Sequence, residues 1–241
     1  MSDATDKLLA EQTQAVARLE EKLGVPKGLF NKLKDEDDWS FIIKMQALLE
    51  TALTYLIKST LGRDELEDFI EKLNLQGRTG KLAVVKALSL LTNNHLKYLG
   101  QLAELRNKVA HKIQYVTFTL SEHLKGMNEK AFKDFVLTAL VLPTDVKFEL
   151  SKELQEMARE NPRLLLWMGA LDCLTSVYLH NQRAEEQKML AAIYEGFYVR
   201  SKLKDQGLGG LFQNRLSDLC SGKGLLSNVP DEAAPAQGPE K

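Results

Sequence analysis

The chain has 241 residues, 44% hydrophobic and 27% charged, a globular balance that excludes a mostly disordered or collagen-like chain. Its 32 Lys and Arg against 33 Asp and Glu leave a net charge of −1, so it cannot coat nucleic acid by bulk charge. The two cysteines, Cys173 and Cys220, form no CxxC or Cys/His cluster, which predicts a reduced cytoplasmic chain with no zinc site and no cofactor.

The N-terminal stretch carries Asp3, Asp6 and Glu11 where a signal peptide needs basic and then apolar residues. Leu8, Ala15, Leu19 and Leu23 then give an apolar stripe at helical spacing, ended by Gly24-Val-Pro26. The acidic run Asp35-Glu36-Asp37-Asp38 precedes a strong helix with Phe41, Met45, Leu48, Ala52 and Leu56 on one face. Negative charge at a helix N-terminus is stabilising without a metal, so the run is read as structural. Gly62 closes this helix, and 65–73 forms a short one.

Residues 77–80 are a loop, 81–91 and 95–113 are helices, and 114–120 is a β-rich run that suggests a short extended piece. A helix over 128–142 stops at Pro143. Residues 145–159 are amphipathic, and Asn161-Pro162 marks a fresh start. The apolar stretch 164–179 is shorter than the roughly 20 residues a membrane span needs and contains Asp172, so it predicts a buried helix. Residues 184–204 are helical again, and 229–241 hold three prolines and almost no apolar bulk, the composition of a disordered tail.

The fold class expected is therefore all-α: an amphipathic helix over 1–34, a helical bundle over 35–143, a second helical block over 144–222 and a tail over 223–241. Two glycine-bearing stretches lead nowhere. Gly207-Leu-Gly-Gly lacks the GxGxxG spacing and a preceding strand, and Gly222-Lys223 lacks the first glycine of a phosphate loop. His95, His123 and His180 have no partner at metal-ligand spacing and read as packed or surface residues.

One constellation remains, Leu105-Arg106-Asn107-Lys108-Val109-Ala110-His111, at the end of a helix inside a helical bundle. It resembles the RNxxAH signature of the HEPN superfamily. The upstream stretch Asp38-Trp-Ser-Phe-Ile-Ile-Lys-Met-Gln-Ala-Leu-Leu-Glu50 is similar to the mannitol operon repressor branch of that superfamily. The resemblance covers residues 36–142 and implies a bundle of four or five helices. It also implies a metal-independent ribonuclease of the toxin or defence type, acting on single-stranded RNA as a homodimer. Arg106, Asn107 and His111 would be its catalytic residues, and a protein partner such as an antitoxin would fit. The repressor branch implies the alternative, a non-catalytic helical regulator.

The residue types suit that chemistry on their own account. Without a metal, the 2′-hydroxyl attacks the adjacent phosphorus, so a group must take its proton and another must protonate the leaving oxygen. Histidine titrates near pH 6.5 and can do either, for about 10²–10⁴-fold. Arginine offers a permanent, bidentate fork for phosphate. On an ideal helix Asn107 lies about 40° from His111, whereas Arg106 lies about 140° away. Pairing two motifs across a two-fold axis would supply both an acid and a base. The structural alternative is plain: a histidine at a helix C-terminus complements the dipole, and Arg106 and Asn107 can bond locally.

Overall fold

A computed structural model describes residues 3–110, 116–143 and 149–205. Among them are ten α-helices and no strand: α1 Asp3–Lys22, α2 Leu29–Lys32, α3 Asp38–Leu61, α4 Glu67–Lys72, α5 Lys81–Ala87, α6 Asn93–Ala110, α7 Leu120–Lys125, α8 Glu129–Ala139, α9 Lys152–Glu160 and α10 Pro162–Asp205. The fold is all-α. The run expected to be extended forms no strand in its described part, residues 116–120. Thr119 instead caps α7, its hydroxyl accepting from the Glu122 N–H at 3.2 Å, and local capping overrides β-propensity.

The centre is α3. Asp37 caps it by accepting from the Ser40 N–H, and Gly62 (φ 59°) ends it in the left-handed region. Between those ends Phe41, Ile42, Met45, Ala52, Leu53, Leu56 and Ile57 are all buried at three-to-four spacing. Among the described residues α3, rather than the 164–179 stretch, is long and apolar enough to cross a membrane. Its apolar face is nonetheless committed to the core, where it packs chiefly against α6.

The rest of the acidic run is also structural. Asp38 accepts from the Arg163 Nε at 2.7 Å and from the Leu120 N–H at 2.8 Å, joining α3, α7 and α10. Glu36 pairs with Lys44.

One core draws on the expected segments 1–34, 35–143 and 144–222 alike, from Ala15 on α1 to Tyr178 on α10. Buried Glu20 fastens α1 to α2 by accepting from the backbone N–H groups of Gly28 and Phe30, both at 2.7 Å. Phe30 in turn stacks on Trp167, with ring centroids 4.7 Å apart. Where α10 passes α6 and α8, the Tyr98 hydroxyl donates to the Leu166 carbonyl at 2.6 Å. At Gly169 a Cβ would stand 2.1 Å from the Ala139 carbonyl oxygen, so only glycine fits.

The chain divides into two compact units, 1–186 and 187–241. The 164–178 stretch belongs to the core of the first, although Leu164 and Met168 stay exposed. In the second, residues 187–205 belong to α10 and expose Met189, Leu190, Ile193, Tyr194 and Phe197. Two expected helices, 164–179 and 184–204, are thus one. No proline or glycine pair interrupts them, so nothing breaks the backbone ladder.

Candidate functional site

The candidate site lies at the end of α6. Leu99, Leu102, Ala103, Leu105 and Val109 of that helix are buried, which turns 104, 107, 108 and 110 outward. Trp39 holds the last turn against α3 by donating from Nε1 to the Val109 carbonyl at 3.2 Å. Arg106, half-buried, donates from Nη1 to the Asn107 Oδ1 at 3.2 Å. Exposed Asn107 reaches the Gln76 Oε1 with its amide nitrogen at 3.5 Å. These two residues therefore sit together, on the side of α6 that faces the loop before α5. His111 lies outside the described residues.

Lys108 belongs to the same turn and meets His123 of α7. Lys108 donates to the His123 Nδ1 at 3.0 Å, and its ammonium lies 5.9 Å from the centre of the Phe118 ring. His123 sits between Phe118 and Phe135, with ring centroids 5.7 and 6.3 Å away. Burial, and then the Lys108 ammonium, hold this imidazole below its ordinary value. No helical spacing announces this pair, because His123 lies 15 residues from Lys108 across a loop.

Between α6 and α8 these side chains open onto a cleft of about 730 Å³. Lys108 and Lys97, eleven residues apart on α6, line it together with His123, Glu104 and Asp134, and Leu105, Met127 and Phe135 make it partly apolar. The Gln101 Oε1 is buried with no hydrogen-bond partner.

His95 also proves more than a bystander. Thr92 and His95 form a capping box in which histidine takes the role usual for glutamate. The Thr92 N–H donates to Nδ1 at 3.3 Å, and the His95 N–H donates to the Thr92 hydroxyl at 3.4 Å. Nε2 then donates to Asp172 at 2.9 Å, with Ser176 at 3.2 Å. The Thr92-x-x-His95 spacing was the available signal. His180 is half-buried and held below its ordinary value by burial, then by Arg183 and His95.

Among the described residues no three His, Cys, Asp or Glu side chains form a group able to hold a metal ion. Cys173 is buried, and burial pushes its thiol well up. Cys220 and the stretches Gly207-Leu-Gly-Gly and Gly222-Lys223 lie outside the described residues. Comparison with family models, curated proteins and solved structures gives no match.

Proposed function

We propose that the end of α6 is an RNA site and that the protein is a metal-independent endoribonuclease, acting as a homodimer in the cytoplasm. The observation that carries this reading is the succession Arg106, Asn107 and Lys108 on the last turn of α6, with Arg106 bonded to Asn107 and His123 at 3.0 Å from Lys108. Arg106 would bind the non-bridging phosphate oxygens and offset the charge that grows on the phosphorane, while Lys108, on the other side of the turn, would hold a neighbouring phosphate. The 2′-oxygen forms a bond to phosphorus while the P–O5′ bond breaks. His111 takes the 2′-hydroxyl proton, and its twin from the second copy protonates the departing 5′-oxygen. The products are a 2′,3′-cyclic phosphate and a free 5′-hydroxyl. Asn107 acts by holding Arg106, to which it is already bonded.

Purified protein in EDTA should convert single-stranded RNA into fragments with cyclic phosphate ends, and Arg106→Ala and His111→Ala should stop this without unfolding the chain. Wild-type cleavage that persists in His111→Ala would refute the assignment.

A second reading, a regulator that captures a protein such as an antitoxin, is favoured by the apolar side chains on residues 187–205. Met189, Tyr194 and Phe197 are each 60% or more exposed. Under this reading, truncation after residue 186 removes partner capture while His111→Ala does not.

A further inference from the structure

A cleft with Lys108 and His123 toward one end of α6, Lys97 toward the other, and the carboxylates of Glu104 and Asp134 also lining it suits a ligand that carries both an anionic group and hydrogen-bond donors. We propose that the α6–α8 cleft is a single-nucleotide pocket that takes a guanine base, with the attached phosphate at the Lys108–His123 end. This assignment rests on the reading of the α6 terminus as an RNA site, and it adds residues and a base preference that the motif itself does not contain.

The volume comes first. About 730 Å³ falls within the range of small-ligand pockets, and the cleft is open enough for a base splayed out of a single strand. The order of groups comes next. Lys108 is four residues beyond Glu104 and seven beyond Gln101, so its Cα stands about 6 and about 10 Å further along the helix axis at 1.5 Å per residue. That separation keeps a phosphate clear of the carboxylates while the base reaches them.

The acceptors then select the base. Glu104 and Asp134 present carboxylates to the cleft, and both want N–H donors. The Gln101 Oε1 also lacks a partner but is shut off from solvent, so it meets a base only when its side chain turns. Guanine offers two adjacent donors, N1–H and the 2-amino group, which match the two oxygens of one carboxylate. Uracil presents a single N–H between two carbonyls, which a carboxylate repels. Adenine pairs its amino group with a ring acceptor and satisfies one oxygen only. Met127 and Phe135 supply the apolar surface against which a base plane can lie.

His123 belongs to the phosphate end. In the free protein its Nδ1 is occupied by the Lys108 ammonium. A phosphate that draws Lys108 to itself would release that nitrogen toward the nucleotide.

Nuclear magnetic resonance of the full chain in EDTA tests this, with 3′-GMP, 3′-AMP and 3′-UMP titrated separately. The expected result is movement of the His123 ring and Gln101 side-chain amide signals. Binding of 3′-GMP should be at least about tenfold tighter than of 3′-UMP, the size of one bidentate base contact. Asp134→Asn and Glu104→Gln should shrink that preference, and Lys108→Ala should weaken all three nucleotides alike. Both carboxylates and Lys108 are exposed, so these variants keep the core intact. Equal affinity for the three nucleotides, or signals from His123 and Gln101 that stay still at millimolar nucleotide, overturns the proposal. RNA cleavage by wild type alongside such a result would leave the nuclease reading standing and remove the pocket. Guanine-selective binding without cleavage would do the reverse.

Discussion

The imidazole of His95, at the start of α6, donates from Nε2 to the carboxylate of Asp172 on α10 at 2.9 Å. The other ring nitrogen accepts from the Thr92 N–H, so one buried histidine both caps a helix and ties it to a second. His95→Ala removes the reciprocal cap and leaves Asp172 without its donor. Loss of the cap and of the bond between helices should destabilise the fold by about 2 kcal/mol. Asp172→Asn keeps an acceptor and should have a smaller effect. Urea unfolding of both variants checks the order, and equal losses would show that the bond to Asp172 matters and the cap does not.

Gly169 gives a sharper steric prediction. A methyl group there would meet the Ala139 carbonyl oxygen at 2.1 Å and the Tyr98 ring at 2.7 Å. Backbone cannot yield as a flexible side chain can, so Gly169→Ala should destabilise by about 1–3 kcal/mol despite alanine's better helix propensity. Tyr98→Phe tests a different contact nearby, the 2.6 Å bond to the Leu166 carbonyl, and should lose about 1 kcal/mol. Thermal denaturation distinguishes the two, since only the glycine variant forces α10 away from α8.

These contacts mark where sequence reading stops. The apolar period of α3 and its Gly62 stop are local, and they read directly from residue order. So does Arg106 beside Asn107. The joining of 164–178 to the same core as α1 does not, because Trp167 against Phe30 and Gly169 against Ala139 are contacts between distant segments. Lys108 with His123 is hidden for the same reason. The acidic run shows the intermediate case: its stabilising place before a helix is legible, but the cap at Asp37 and the Asp38 bond to Arg163 are not.

Titration should register two of the histidines. Burial and nearby positive charge hold His123 and His180 below the ordinary imidazole value. In the unfolded chain both bind protons near pH 6.5. Just below that pH the unfolded state therefore carries more protons than the folded one, and stability falls as pH falls through the window. The urea midpoint should drop between about pH 7 and about pH 5.5, before the carboxylates titrate. His123→Gln and His180→Gln should each flatten that slope. A midpoint that rises on acidification would contradict the sign.

Arg106 separates phosphate recognition from mere charge. Its guanidinium is half-buried and bonded to Asn107, which fixes the fork rather than leaving it to sweep through solvent. Arg106→Lys keeps the charge and loses the planar, bidentate geometry, as well as the donor that reaches the Asn107 Oδ1. If the reading of this turn as a phosphodiester site holds, that substitution should lower RNA cleavage by about 10–100-fold, each lost directional contact being worth 1–3 kcal/mol. Its effect on unfolding should stay within about 0.5 kcal/mol, since the side chain lies at the surface of the bundle rather than in its core. Asn107→Ala should reproduce part of the loss by freeing the guanidinium. Cleavage rates measured beside urea midpoints decide the matter: an Arg106→Lys protein that cleaves at the wild-type rate needs only a positive charge there, and the fork plays no part.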